Sequence, residues 1–218
     1  MVKWSFSSLK DFINCPRQYY EVKIAQNFKK SVSEQMLYGT AVHSALEEYV
    51  KDDTPLPKNY ERYRKYVDPL KEVAGERYVE FKMALSKEKE PCAFDSENYW
   101  VRGIADLMIV DGDRAFIVDY KTGSARNPDP NQLKLMALMA YAHFPKLDKI
   151  KASLMFVAHD SLVFEEYKRE EQPKLWSVFE PTLTRLQLSY ENNTWPENPG
   201  FLCRRWCPVD TCRFNGEK

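Results

Sequence analysis

The stretch FIVDYKTGS, residues 116–124, decides the fold. An apolar run ends in Asp119, and Lys121 follows two positions later. In a strand the carboxylate and the ammonium then share one face, and Tyr120 takes the other. A carboxylate at the end of such a strand needs a partner, because burying an unpaired ion is costly. Just upstream, WVRGIADLMIV (100–110) is a second β-rich run carrying Asp106, and Asp111–Gly112 between the two runs is a dipeptide suited to a tight turn. The two runs are expected to form a hairpin with both carboxylates in apolar strand contexts.

Working outward, EQMLYGTAVHSALEEYV (34–50) sets Leu37, Ala41 and Ala45, and Val42, Leu46 and Tyr49, at helical spacings, with His43 among them. PDPNQLKLMALMAYAHF (128–144) is an apolar helix led by two prolines, with Gln132 near its start. KASLMFVAHD and SLVFEEYK (151–168) form another strand pair, and 170–190 a final helix. Residues 7–25 give a short helix broken at Cys15–Pro16 and then an aromatic turn, whereas 58–86 give a longer, charged helical stretch. Beyond Trp195–Pro196 there is no periodicity, and the chain has neither repeats nor low-complexity tracts. Helices, a hairpin, a helix, strands and a helix fit an α/β core, a central mixed sheet flanked by helices.

The length of 218 residues suits one domain, 1–218. With 44% apolar and 29% charged residues the chain is globular in composition, and no apolar run reaches the roughly 20 residues that span a bilayer. The N-terminal MVKWSFSSLK lacks the apolar region of a signal peptide, so a soluble, intracellular protein is expected. Net charge is zero, which by itself argues against a generally basic nucleic-acid binder, but the charge is unevenly placed. Residues 1–30 carry six basic side chains against two acidic, and 201–218 carry four (Arg204, Arg205, Arg213, Lys218) against Asp210 and Glu217. If the ends meet they form a basic face, with Trp4, Phe6, Tyr19, Tyr20 and Trp206 interleaved, suited to tracking phosphates and stacking bases. Most of these rings are equally well core; Trp206, between Arg205 and Cys207, is the one expected to be exposed.

Five cysteines, an odd number in a reducing compartment, do not suit a disulfide framework. Cys203, Cys207 and Cys212 are close enough in sequence to bind one centre, and Cys15, followed by proline as Cys207 is, is a better fourth ligand than Cys92. Zinc and free thiols remain open on spacing alone.

A lone D-x-K is usually an ordinary ion pair. Here it has company: a carboxylate pair suits magnesium or manganese, the Tyr120 carbonyl offers a further oxygen, and Lys121 can neutralise without ligating. YGTAVHSALEEY, GIADLMI, VDYKTG and NQLKLMALMAYA occur in one order. That ordered set, spanning Ser5 to Cys212, resembles the PD-(D/E)XK nuclease superfamily and its RecB-like exonuclease branch. The resemblance implies a restriction-endonuclease-like core with His43, Asp106 and Asp119 as ligands of Mg2+ or Mn2+, Lys121 positioning the attacking water, and Gln132 in support. It departs in one place, since a tyrosine usually follows the glutamine by four residues and Met136 stands there, with Tyr141 further on. Glu47, one turn beyond His43, is either an acceptor behind the imidazole or a solvated edge.

The one distant and three close cysteines are similar to those of the iron–sulfur members of this branch, including the CRISPR-associated exonucleases. The resemblance thus implies a [4Fe-4S] cluster on Cys15, Cys203, Cys207 and Cys212, with structural Zn2+ as the rival, joining 1–30 and 195–218 into a cysteine-cluster subdomain. The implied function is a metal-dependent DNA exonuclease acting on single strands or free ends. It would serve recombination, repair, phage DNA processing or CRISPR adaptation, with the proteins of those pathways as partners, in the cytoplasm of a bacterial, archaeal or phage-infected cell. The competing class is a non-catalytic, cluster-stapled module that binds DNA or a partner.

Overall fold

The hairpin expected around Asp111–Gly112 forms the middle of a five-stranded mixed sheet in the computed structural model, which describes residues 2–216. Strands β1 (Glu76–Leu85), β2 (Val101–Asp111), β3 (Arg114–Lys121), β4 (Lys149–Phe156) and β5 (Ser161–Lys168) lie side by side in chain order. All neighbours are antiparallel except β3 and β4, which are parallel and need a crossover. Helix α5 (Asn131–His143) supplies it, as the apolar run 133–141 predicts, and is buried along nearly its whole length.

The chain divides into two compact units, Ser33–Val178 and a second formed by Met1–Val32 with Phe179–Lys218. In the sheet unit, α3 (Glu34–Asp52) and α4 (Arg64–Lys71) cover one face. Val42, Leu46, Tyr49, Val67 and Leu70 pack there on Leu107, Ile109, Val118 and Tyr120. Ser33 caps α3 by accepting from the Met36 N–H at 3.2 Å, which fixes where the helix begins. The opposite face takes α5 and α6 (Gln172–Ser177). Tyr141 is a structural donor there, its hydroxyl bonding the carbonyls of Asp148 (3.2 Å) and Tyr167 (2.8 Å).

In the terminal unit, α1 (Phe6–Asn14) starts at a capping box of Ser5 and Ser8 and stops at Cys15, and α2 (Pro16–Tyr19) runs into a π-helical turn over Tyr20–Ile24. Helix α7 (Glu180–Glu191) belongs to this unit. Hydrogen bonds tie the two segments of this unit: the Arg17 N–H donates to Pro196 O (3.2 Å), and the side-chain Nδ2 of Asn198 donates to the carbonyls of Asn14 (3.0 Å) and Ile13 (3.4 Å). Phe12, Tyr19, Tyr20 and Tyr190 gather round Trp195.

Two expectations are corrected. The helical stretch over 58–86 is a short α4 that ends at Lys71, followed by the ten-residue strand β1, which begins directly after Gly75 (φ +123°) and pairs along its length with β2. The single helix over 170–190 is two, α6 and α7, separated at Val178–Phe179 with Pro181 in the first turn of α7. Trp4 and Tyr19 are core, and Trp206 is exposed. Glu217 and Lys218 of the C-terminal charge count lie outside the described residues. No helix among those described is long and apolar enough to cross a membrane.

Candidate active site

The ladder between β2 and β3 ends at Leu107↔Val118, leaving the last residues of β3 free of β2. The Asp106 side chain takes over: its Oδ2 accepts the Tyr120 N–H at 2.6 Å. Because N–H and C=O of a strand residue lie on the same edge, the Tyr120 carbonyl is turned to the Asp106 side as well. His43 approaches from α3, its Nδ1 3.3 Å from Asp106 Oδ2 and its ring edge-on to Tyr120 at 6.1 Å. Gly39, one turn before it, lets α3 come close to the end of β3, since a Cβ there would stand 3.0 Å from Thr122 Oγ1.

On the other face Asp119 is 4% exposed and held from two sides. Gln132 Nε2, at the start of α5, donates to Oδ1 at 2.6 Å, and Lys121 Nζ lies 2.5 Å from Oδ2. That Oδ2 accepts no properly oriented hydrogen bond, so the lysine engages it as an ion pair only. Burial pushes the Asp119 carboxyl up to about 6, against the pull of Lys121 and with the push of Asp106. Burial disfavours the His43 imidazolium, but the bond to Asp106 and the charges of Asp106 and Asp119 outweigh it, so His43 sits above the usual imidazole range.

A cavity of about 400 Å³ opens beside Asp106 and His43, lined also by Thr40, Glu47 and Glu80. Glu47 therefore borders the site, while the His43 ring takes Asp106 as its partner. Glu80 was not anticipated. It falls between Val79 and Phe81, which pair with Leu107 and Ala105 on either side of Asp106, adopts φ +49°, and has its carboxyl raised by burial and by Asp106 and Glu47. No spacing in the sequence ties it to the other site residues. Met136 is buried in α5 and Tyr141 faces the β5 side, so neither joins this group.

Carboxylates, an imidazole and a turned-in carbonyl are donors suited to a hard divalent cation, and the buried Oδ2 of Asp119, which has an ion-pair partner in Lys121 but accepts no hydrogen bond, fits one. Asp106 spends Oδ2 on internal partners, and no three His, Cys, Asp or Glu side chains among the described residues are gathered as a ready metal group. Ion binding at these residues requires the side chains to turn.

Cys15, Cys203, Cys207 and Cys212 line one cavity of about 320 Å³ in the terminal unit, and Cys92 lies in the sheet unit. All five thiols are free. Backbone N–H groups already point at two of the sulfurs, Asn198 to Cys15 and Gly200 to Cys203, each at 3.5 Å. Such donors favour thiolates, although the four sulfurs are not gathered into a ready metal group.

A model of the PD-(D/E)XK nuclease superfamily matches residues 3–212. No curated protein sequence matches the chain. Among solved structures, a candidate exonuclease from Eubacterium rectale is 14% identical, with a TM-score of 0.53 over 98% of this chain and 88% of its own. The crystal structure of SSO0001 is also 14% identical, with a TM-score of 0.42 over 84% of this chain and 76% of its own.

Proposed function

Because the chain belongs to the PD-(D/E)XK nuclease superfamily, we propose that it is a divalent-metal-dependent deoxyribonuclease that digests DNA from strand ends and prefers single strands. The observation carrying this is the meeting of His43, Asp106, Asp119, Lys121 and Gln132 at the open end of the β2–β3 ladder. Fold likeness to the Eubacterium rectale candidate exonuclease supports the choice of ends over internal sites.

His43, Asp106, Asp119 and the Tyr120 carbonyl would hold the cation, which supplies Lewis-acid polarisation of the scissile phosphate and makes a water easier to deprotonate. The chain's own groups do the rest. Lys121 brings a positive charge to where the attacking oxygen and the phosphate gather negative charge. Gln132 fixes Asp119 by donating to Oδ1, so that Oδ2 stays aimed beside Lys121. Burial of Asp119 and of Tyr120, on opposite faces of β3, keeps the strand end dry, which strengthens each charge interaction.

In the terminal unit the four cysteines that line one cavity would draw together on a [4Fe-4S] cluster, or on Zn2+ in its place, as a staple of the two chain ends. Recombination, repair, phage DNA processing and CRISPR adaptation are the settings such an activity suits.

End-labelled single- and double-stranded DNA, incubated with manganese, magnesium or EDTA, tests the reading. Cleavage progressing from an end, dependent on metal and faster on single strands, is expected. Asp119→Ala and Lys121→Ala should each lower the rate at least about 100-fold. Asp119→Ala should hold the parent's Tm, whereas Lys121→Ala should lower it by a few degrees, because Asp119 is left buried with one partner fewer. A parent that binds DNA without cutting it under any of these conditions is the non-catalytic module instead.

A further inference from the structure

Two large aromatic side chains of the terminal unit stand in solvent: Phe201 is 74% exposed and Trp206 64%. Both belong to one short turn. A 3-10 helical turn over Phe201–Arg204 continues to Trp206, whose N–H donates to Leu202 O at 3.0 Å. The turn is pinned from below, since the Cys203 N–H donates to Gly200 O and the Gly216 N–H to Cys203 O, both at 3.0 Å. Asn215 Nδ2 holds the following residues through the carbonyls of Cys207 (3.0 Å) and Val209 (2.8 Å). Rings on a braced turn lose little freedom on binding, and exposed aromatic surface of this size marks an interaction site.

The charge around the rings names the partner. Arg204 and Arg205 are exposed and have no acidic partner among the described residues. Arg213 is exposed too, 3.8 Å from Glu197 and with its guanidinium 4.7 Å from the Phe214 ring centre. The described residues of this unit carry ten basic against six acidic side chains, although the whole chain is neutral. Flat rings among guanidinium groups, two of them with no acidic partner among the described residues, complement a strand whose bases have free faces and whose every link carries a negative charge. A double helix keeps those faces stacked, so the rings gain nothing from it.

We infer that the Phe201–Trp206 turn is a binding site for unpaired nucleotides, with both rings stacking on bases and Arg204, Arg205 and Arg213 taking phosphates. The site rests on the nuclease reading in one respect: it would supply the strand preference that reading includes.

Fluorescence anisotropy of a labelled oligothymidine of about twelve nucleotides tests it, in an Asp119→Ala background so that no strand is consumed. Trp206→Ala and Phe201→Ala should each raise Kd about tenfold, and Trp206→Phe should keep most of the affinity. The slope of log affinity against log salt should stay unchanged in the ring variants and shrink by about 1.4 when Arg204 and Arg205 are both replaced by alanine. Binding of a blunt duplex should not respond to the ring changes, and melting temperature should not move, because both side chains are exposed. Unchanged oligothymidine binding by the double ring variant overturns the site. So does an equal loss on single and double strands, or a shift of the variant to a smaller species in gel filtration, which would make the turn a contact between copies. Cleavage by the unmodified protein is measured separately. A parent that cuts while its ring variants bind normally defeats only this site, and a parent that binds through the rings without cutting defeats only the nuclease reading.

Discussion

Glu80 holds φ +49° in mid-strand, a conformation costing a side-chain-bearing residue about 1–2 kcal/mol. Its carboxyl is also disfavoured as an anion by burial and by Asp106 and Glu47. Strain and like-charge crowding at one residue, on the wall of the candidate cavity, are the marks of a position kept for use rather than stability. Glu80→Gln removes the charge and keeps the shape. It should raise Tm by a degree or two in a thermal melt and cut cleavage about tenfold or more in the end-label assay. Full activity would make Glu80 a bystander. His43, Asp106, Asp119, Lys121 and Gln132 were legible in the sequence because each lies in a short motif whose order is itself informative. Glu80 was not, since no spacing ties it to them and the link is a cross-strand register that only the sheet supplies.

At the scale of elements, the hairpin, α3, α5 and the β4–β5 pair follow directly from period and turn chemistry, while β1 does not. Its run of charges imitates a helix stripe, and the alternation that would identify it is interrupted at Glu80. The better signal was Gly75, which stands at φ +123° immediately before β1, four residues past the end of α4, and packs against Val110 of β2. A Cβ at Gly75 would lie 2.5 Å from Val110 O, a backbone atom that cannot step aside. Gly75→Ala should therefore cost about 3 kcal/mol, lowering Tm by roughly 6–12 °C with an unchanged denaturant m-value. A second element-level prediction concerns α5, whose last turn sets His143 Nε2 to donate to Ala84 O of β1 at 3.2 Å. Burial holds His143 below the usual imidazole range, with the Ala84 bond pulling the other way, so the unfolded chain takes up its proton first as pH falls. Its contribution to stability is complete above about pH 6.5 and is lost as pH drops through the lowered native value. His143→Gln, which keeps a donor and cannot titrate, should lose less Tm than the parent between about pH 7.5 and about pH 5.

At the scale of the whole molecule, the cysteine spacing pointed to one centre but gave no hint of its surroundings, the N–H groups of Asn198 and Gly200 that face two sulfurs. These come from a loop with no period to detect. If the cavity holds a metal centre, Cys15→Ser should lose the bound iron or zinc in metal analysis of anaerobically purified protein and lower Tm, because a ligand held only by the folded state is lost. Cys92→Ser should change neither. The reverse pattern would move the centre to the other unit. The division of the chain also sets a timetable for its making. The residues that begin the terminal unit leave the ribosome first, yet the partners that complete it follow only after the 146 residues of Ser33–Val178. At ordinary elongation rates that is a wait of roughly 7–30 s. During it Phe12 and Tyr19 lack Trp195, the ring on which both pack, and Cys15 lacks the three thiols that share its cavity, so that cavity is complete only once Cys212 has been made.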